Sequence, residues 1–509
     1  KNFLITRSNN SYEWIFTLVC IFSNNKKIFK LKNFTDIIII GAGLSGIGAA
    51  CHLERKNPEK SYQIFESRKE IGGTWSLFKY PGIRSDSDMY TFGFSFKTWD
   101  NPKSFADAPS ILSYLKEAAE EYNVFEKIKF QTQVLEVCFN EENKIWSVTT
   151  LNNNVKTIHQ SNFLFSCTGY YNYNKGYTPN FKGLNDFQGK IIHPQHWPEK
   201  LDYENKKVIV IGSGATAVTI IPKMADKTSE ITMLQRSPTY VGAFPNNDKA
   251  AKFLKKYLPK SLAHKFIRFK NIFVQILFFQ ACKIWPKKMK KWLVNGAQRQ
   301  LGEFPAKPHF EPNYNPWDQR FCVAPDGDLF RSIKSGKAKV ITNEIDCLTK
   351  KGIRLTNGTE LYADIIITAT GLELLAFGGA KIKVNDKDYN PSDAVTYKGL
   401  MLSGLPNCIF FAGYTNASWT LKSDLTSEYS SRLFKYMTKN NFKSFVPVIK
   451  NKKMKISPLL NLNSSYIHRS SHLFPKQGSK LPWKLYQNYF LDFITLRLNK
   501  INGDSIKFK

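Results

Sequence analysis

Two glycine-rich turns carry the first chemistry visible in this chain. Gly41-Ala-Gly43-Leu-Ser45-Gly46 and Gly212-Ser213-Gly214-Ala215-Thr216-Ala217 each follow a short apolar run, Asp36-Ile-Ile-Ile-Ile40 and Lys207-Val-Ile-Val-Ile211. A turn of this kind between a strand and a helix lets backbone N–H groups meet a pyrophosphate at the positive end of the helix. The first glycine permits the tight turn, the second the approach of phosphate, and the third the close passage of helix over sheet. Alanine at the third position of the second turn is a permitted variation. The residues that close the two units differ. Glu66 ends the strand at 62–65, 25 residues beyond Gly41, where a carboxylate accepts hydrogen bonds from a ribose. Arg236, followed by Ser237, lies 24 residues beyond Gly212 at the end of a strand at 230–234. A guanidinium there holds a 2′-phosphate in a forked pair that a carboxylate would repel, so the expectation is NADPH rather than NADH. The plainer alternative is an exposed arginine.

After Glu66 come Ile71-Gly-Gly73-Thr74-Trp75-Ser76-Leu77 and Tyr80-Pro-Gly82-Ile-Arg84-Ser85-Asp86. Glycines let backbone approach a flat ring system, and a tryptophan can pack on one. Arg84 and Asp86 either set charge beside a cofactor or pair with each other in a structural loop.

Gly72-Gly73-x-Trp75, four residues, Tyr80-Pro81-Gly82, three residues, Asp86 resembles at every position a motif of the Baeyer–Villiger monooxygenases. Phe187-x-Gly189-x3-His193-x3-Trp197-Pro198 is similar to that family's signature at all five defined positions. The related N- and S-oxidising flavin monooxygenases carry a similar motif without Trp-Pro. Within the family the resemblance points to the ethionamide-activating group, through 80–88, 166–173, His193-Pro-Gln-His-Trp-Pro198 and Tyr314-Asn-Pro-Trp-Asp-Gln-Arg320. It covers about 36–500.

The resemblance implies FAD on the first turn and NADPH on the second. It implies flavin contacts from Gly41, Gly43, Ser45, Gly46, Glu66, Gly73, Thr74, Trp75, Ser76, Leu77, Arg84, Ser85 and Asp86, with backbone near Val134 at the adenine. It implies NADPH contacts from Gly212, Ser213, Gly214, Ala215, Thr216, Ala217, Val218, Thr219, Arg236 and Ser237. The catalytic group it implies is Arg320, Asp86 and His193. Arg320 sits over the flavin, where a fixed cation keeps a flavin peroxide anionic and stabilises an oxyanion; Asp86 orients it. His193 supports domain motion more than the chemistry. The implied reaction consumes NADPH and O2, turns small apolar ketones into esters or lactones, and oxygenates sulfides or thioamides at sulfur. One rival is a flavin N- or S-monooxygenase without ketone activity. Another is a basic membrane-surface protein that only binds or senses cofactor.

These residues need an α/β fold of two Rossmann-like dinucleotide-binding domains with a helical insertion. The expected division is 1–35 an extension, 36–200 the first part of the FAD domain, 201–245 the first part of the NADPH domain, 246–314 the insertion, 315–375 the rest of the NADPH domain, and 376–509 the rest of the FAD domain with a tail. Within it, 106–122 reads as a helix with Ile111, Leu115, Ala118 and Ala119 on one face. Strands are expected at 130–134, 146–150, 163–165 and 408–412 and from 363 into an Ala-Thr-Gly turn at 369–371, and a helix from about Ser423. Trp419 either lines the substrate pocket or packs in a core.

Composition fits a globular protein with 42% hydrophobic and 22% charged residues. The net charge of +32 comes from 73 basic against 41 acidic residues. Lysines spread along the chain, frequent Asn, Ile and Phe, and the lack of any nucleic-acid-reading motif speak against nucleic acid. Eight cysteines form no C-x-x-C pair and suggest neither a disulfide framework nor a metal site. No C-x4-C follows Gly73, which disfavours a dithiol flavin reductase. A cytoplasmic protein is expected. The apolar stretch 14–22 holds nine residues, too few for a spanning helix of ~20, and lacks a signal-peptide pattern. The chain begins with Lys, and 1–35 is expected to be disordered. In the insertion Lys287, Lys288, Lys290 and Lys291 lie between Trp285 and Trp292. A core-packing insertion with a solvated lysine face is the preferred reading; peripheral contact with the inner face of the cell membrane is the alternative.

Overall fold

The computed structural model describes residues 33–451, 453–459 and 465–509. The expected extension, apart from 33–35, lies outside the described residues.

The run Phe34–Ile40 is a strand at the heart of a nine-stranded sheet. It pairs in parallel with Tyr62–Phe65 on one side and Val155–Ser166 on the other. Helix Leu44–Lys56 joins the first two strands and buries Ile47, Ala50 and Leu53 against the sheet. Strands Gln133–Asn140 and Ile145–Asn152 extend the sheet as an antiparallel meander, and Cys408–Phe410 returns to pair with Val155–Ser166. The second sheet is wholly parallel. Its order is Ala338–Thr342, Glu230–Gln235, Lys207–Ile211, Ile365–Thr368 and Lys190–Ile192. Helix Ala215–Met224 covers it through Ala217, Val218 and Ile221. Two Rossmann-like layers are therefore present.

Local chemistry moves some expected boundaries. The strand expected at 130–134 begins at Gln133, because Gln131 takes φ +52° in a turn. The helix expected over 106–122 spans Ala108–Glu121, where the Asp107 carboxylate accepts Ser110 N–H at 2.9 Å as its cap. The helix expected from Ser423 begins at Trp419 and runs to Lys439. It is rich in serine and threonine yet buried, because hydroxyls of Thr426, Ser427, Ser430 and Ser431 each donate to the carbonyl four residues back.

The insertion forms helices Lys249–Tyr257, Lys260–Ile284 and Pro286–Leu301. It interrupts the second domain in sequence, but Ala251, Ala263 and Ile267 belong to the first domain's core. Arg268 fixes that docking. Its guanidinium donates to the Tyr90 and Gly93 carbonyls at 2.8 Å and pairs with Asp424 at 3.0 Å. Asp424 also meets His52 at 3.1 Å and accepts Ser95 N–H at 2.8 Å. Burial opposes the Asp424 charge, but these partners outweigh it and hold the carboxyl below its ordinary range. Among the described residues no helix is long and apolar enough to cross a membrane.

Candidate active site

The two glycine turns open into one cavity of about 1260 Å³. Each sits where a parallel strand passes into a helix, and each helix starts at its middle glycine, Gly43 or Gly214, without a side-chain cap or an acidic first turn. The N–H groups there remain for an anion. Gly41 takes φ +100° and Gly212 φ +137°, conformations that L side chains rarely adopt. A Cβ on Gly43 would lie no closer than 3.6 Å to any protein atom, and one on Gly214 would meet nothing within 4 Å. Protein packing thus does not demand glycine at either middle position, whereas a phosphate approaching the backbone does. This cradle fits two dinucleotides.

Glu66 is buried at the first turn. It accepts Ala42 N–H at 2.7 Å and Arg68 N–H at 2.9 Å, one on each oxygen. Burial pushes its carboxyl upward, and those two N–H groups and the Arg68 charge pull it back. Ser45, Gly73, Thr74, Trp75, Arg84, Ser85, Asp86 and Val134 share this half of the wall. Gly212, Ser213, Gly214, Ala215, Thr216 and Thr219 line the other half, with Arg236 and Ser237 at the strand end. Arg236 is exposed. Ser213 Oγ donates to the Ser237 carbonyl at 3.0 Å, which fixes the turn to that strand end.

Six expected residues stand behind the wall. Gly46 is pressed so tightly that a Cβ would fall 1.9 Å from the Gly41 carbonyl. Ser76 is buried against Arg68, and Leu77, Ala217 and Val218 belong to the second domain's core or pack on it. His193 faces the connection between the domains. Its Nδ1 accepts Gln195 N–H at 3.2 Å, its Nε2 lies 3.1 Å from the Gly371 carbonyl, and a Cβ on Gly176 would strike its ring. Burial lowers its pKa.

Arg84 and Asp86 do not pair with each other. Arg84 forms a forked ion pair with Asp328, on a helix of the second domain. Asp86 instead accepts from Arg320, at 3.3 Å from one terminal nitrogen and 3.4 Å from Nε. Both members of that pair line the cavity. The loop before Arg320 is anchored by Trp317, whose ring packs on Phe279 at 5.6 Å and Phe321 at 5.8 Å. Trp419 also reaches the cavity and donates its indole N–H to Ser45 Oγ at 2.8 Å.

Two contributors, Arg68 and Asp328, escaped sequence reasoning, and the role of the Tyr80-Pro-Gly82 motif became visible only in the structure. Arg68 staples the Gly73 loop, donating to the Gly73 carbonyl and the Ser76 carbonyl, both at 3.1 Å. Tyr80 reaches across to the Thr216 hydroxyl, and Gly82 lies where a Cβ would come within 3.0 Å of the Thr219 carbonyl, so the Tyr-Pro-Gly loop locks one turn against the other. Asp328 holds Arg84 from 244 residues away. Of the two missed residues, Arg68 had a local signal, two residues after the acid, and Asp328 had none.

A two-domain α/β fold with two dinucleotide cradles on one cavity fits a flavoprotein that uses a nicotinamide cofactor, and the comparisons narrow it to the flavin monooxygenases. Residues 35–378 match the family model described as flavin-binding monooxygenase-like. The chain belongs to this family. It is 49% identical over 475 residues to the FAD-containing monooxygenase EthA of Mycolicibacterium smegmatis, covering 93% of this chain and 96% of that one. It is 44% identical over 481 residues to the probable FAD-binding monooxygenase AlmA of Acinetobacter baylyi, covering 94% and 97%. Among solved structures, oxidized steroid monooxygenase bound to NADP superposes with a TM-score of 0.73 at 19% identity, over 94% of this chain and 99% of that one. That likeness concerns the fold.

Proposed function

We propose that this chain uses FAD, NADPH and O2 to convert apolar ketones into esters or lactones, and that it also oxygenates sulfides and thioamides at sulfur. The observation that carries this reading is the Arg320–Asp86 pair, 3.3 Å apart on the wall of a cavity that both glycine turns share. The relatives' names support the flavin, and the solved steroid monooxygenase bound to NADP supports the second cofactor. When bound, the flavin supplies oxygen activation and the nicotinamide supplies hydride.

The protein's own residues do the rest. Gly43 and Gly214 admit the two pyrophosphates, and Glu66 accepts from the first ribose. Arg236 holds the 2′-phosphate. Arg320 presents a cation where negative charge grows on the substrate's carbonyl oxygen, and Asp86 holds its guanidinium in place. A smaller chamber of about 70 Å³, lined by Phe377, Phe410, Tyr414 and Leu459, shares Arg320 and Trp419 with the main cavity. Its apolar wall suits the hydrocarbon side of a ketone or sulfide and excludes water. His193 acts as a positioning residue at the interdomain connection. The seven described cysteines are free, which supports a reducing compartment such as the cytoplasm.

The test is product mass analysis. Flavin-loaded protein with NADPH and air is offered a long-chain methyl ketone and an aryl methyl sulfide together. Ester from the ketone is expected. Sulfoxide as the sole product would replace this reading with a flavin S-monooxygenase.

A further inference from the structure

The insertion is apolar on two faces. One face of helix Lys260–Ile284 is buried through Ala263, Ile267 and Ile272. The other carries Leu262, Phe266, Phe269, Phe273 and Leu277, spaced 4, 3, 4 and 4 residues apart, which is one stripe of a helix. This second face is open. Phe266 is 52% exposed, Phe269 59% and Phe273 46%. Exposed Phe253 and Tyr257 precede the stripe, and Ile284, Trp285 and Trp292 follow it. The Phe269 ring lies 6.0 Å from Phe490, beside exposed Leu491 and Ile494 near the C-terminus. A solvated helix face would be polar; a stripe this long marks a binding surface.

Charge says what binds it. Between Asp248 and Glu303 there is no acidic residue, against 12 lysines and 2 arginines. Lys265, Lys287, Lys288 and Lys291 are exposed around the stripe. We propose that this face docks on an anionic lipid bilayer. The phenylalanine and leucine side chains enter the acyl boundary, the tryptophans sit at headgroup depth, and the lysines reach the phosphates. A second copy of the chain is a poor occupant, because a two-fold contact would set this basic face against itself.

The docked helix also touches the site. Phe279 packs on Trp317, and Lys283 Nζ donates to the Trp317 carbonyl at 3.3 Å and pairs with Asp318 at 3.0 Å, two residues before Arg320. A crevice lined by Ile272, Ile276 and Leu421 shares Ala417 with the main cavity. An apolar substrate dissolved in the bilayer therefore lies next to the oxygenating site.

The experiment is co-sedimentation of the flavin-loaded protein with phosphatidylglycerol–phosphatidylcholine vesicles and with pure phosphatidylcholine vesicles. Binding to the anionic vesicles is expected, at least ~10-fold weaker on phosphatidylcholine or at high salt. Phe266→Ser/Phe269→Ser/Phe273→Ser should lose binding by at least ~10-fold, with NADPH oxidation in the absence of vesicles unchanged. Lys287→Glu/Lys288→Glu should remove much of the salt-sensitive part without unfolding risk in the core. Failure of the wild type to sediment with anionic vesicles overturns the proposal. So does a dimer that the triple phenylalanine variant splits while vesicles bind neither protein, which would assign the face to a second copy.

Discussion

At Gly41 a Cβ would come within 2.7 Å of the Cys167 carbonyl, and at Gly212 within 2.4 Å of the Ala369 carbonyl. In both units the first glycine is demanded by the strand end that packs on it. Neither middle glycine is pressed by the protein: a Cβ would make only ordinary contact with Gly73 at Gly43 and would meet nothing within 4 Å at Gly214, and here the units still agree. They part at the third position and at the closing residue. Gly46 has no room for a side chain, whereas the buried Ala217 methyl fits. Glu66 is 5% exposed with both oxygens engaged, while Arg236 is exposed. The same backbone device is thus framed by two different closing residues, which suit two modes of binding. In the proposed reading the first unit would enclose its ligand around a fixed, buried acid. The second offers a charge at the surface, suited to a phosphate-bearing molecule that comes and goes.

The contrast between middle and outer glycines breaks most directly at the middle positions. Gly43→Ala and Gly214→Ala should both fold, with thermal unfolding of the cofactor-free protein moving by no more than ~2 °C. Gly43→Ala should weaken FAD binding by about 100-fold, the scale of one lost charge-assisted hydrogen bond. Gly214→Ala should keep FAD and raise the NADPH KM by a similar factor. Flavin loss in Gly214→Ala, followed by absorbance after gel filtration, would erase the division between the units. Arg236→Ala should raise the NADPH KM by about 10- to 100-fold and leave the NADH KM alone. Steady-state kinetics with the two cofactors read this, and equal effects on both would return Arg236 to a solvated arginine.

A smaller effect sharpens the link between the insertion and the first unit. His264 is buried between them, 3.5 Å from Trp99 N–H, and burial with the nearby Arg268 charge lowers its pKa to about 4. The unfolded chain takes up this proton near its ordinary pKa of about 6.5, the folded chain only near 4. Stability is therefore full above about pH 6.5 and falls as pH drops toward 4, by about 2 kcal/mol at pH 5 from this group. Urea unfolding at pH 7 and pH 5 should show that loss in the wild type and a smaller one in His264→Gln. Identical pH dependence in both would remove His264 from the docking contact.

The strand–turn–helix layout of both glycine turns, and the places of Glu66 and Arg236 at the strand ends, were legible because strand, turn, helix and closing residue fall within one short stretch; the ligands those residues hold are part of the proposed function. Arg68 was missed although it lies in that stretch, since nothing in a pattern says that a guanidinium will staple a loop carbonyl. Partner choice was not legible. Arg84 and Asp86 sit two apart, yet each pairs with a residue more than 200 positions away, Asp328 and Arg320. The two-sided packing of the insertion was not legible for a related reason. It interrupts the second domain in sequence and packs Val294, Ala297 and Leu301 into that domain's core, while the buried Arg268–Asp424 pair ties its long helix to the first. The helix Trp419–Lys439 hides its burial behind a polar composition, because its hydroxyls are satisfied by its own backbone. The expected solvated lysine face is present, with Lys287, Lys288 and Lys291 exposed, but an exposed aromatic stripe lies beside it that the pattern of lysines and tryptophans did not announce.

The central claim is that Arg320, held by Asp86 between the two cradles, serves oxygen transfer to the substrate. Wild type and Arg320→Ala, both loaded with FAD, should be given NADPH, 18O2 and a long-chain methyl ketone, with ester counted per NADPH oxidised. The wild type should place one labelled oxygen in the ester for each NADPH consumed. Arg320→Ala should retain FAD and form ester at least ~100-fold more slowly, the scale of one lost oxyanion donor. Ester formation at the wild-type rate in Arg320→Ala would contradict the account.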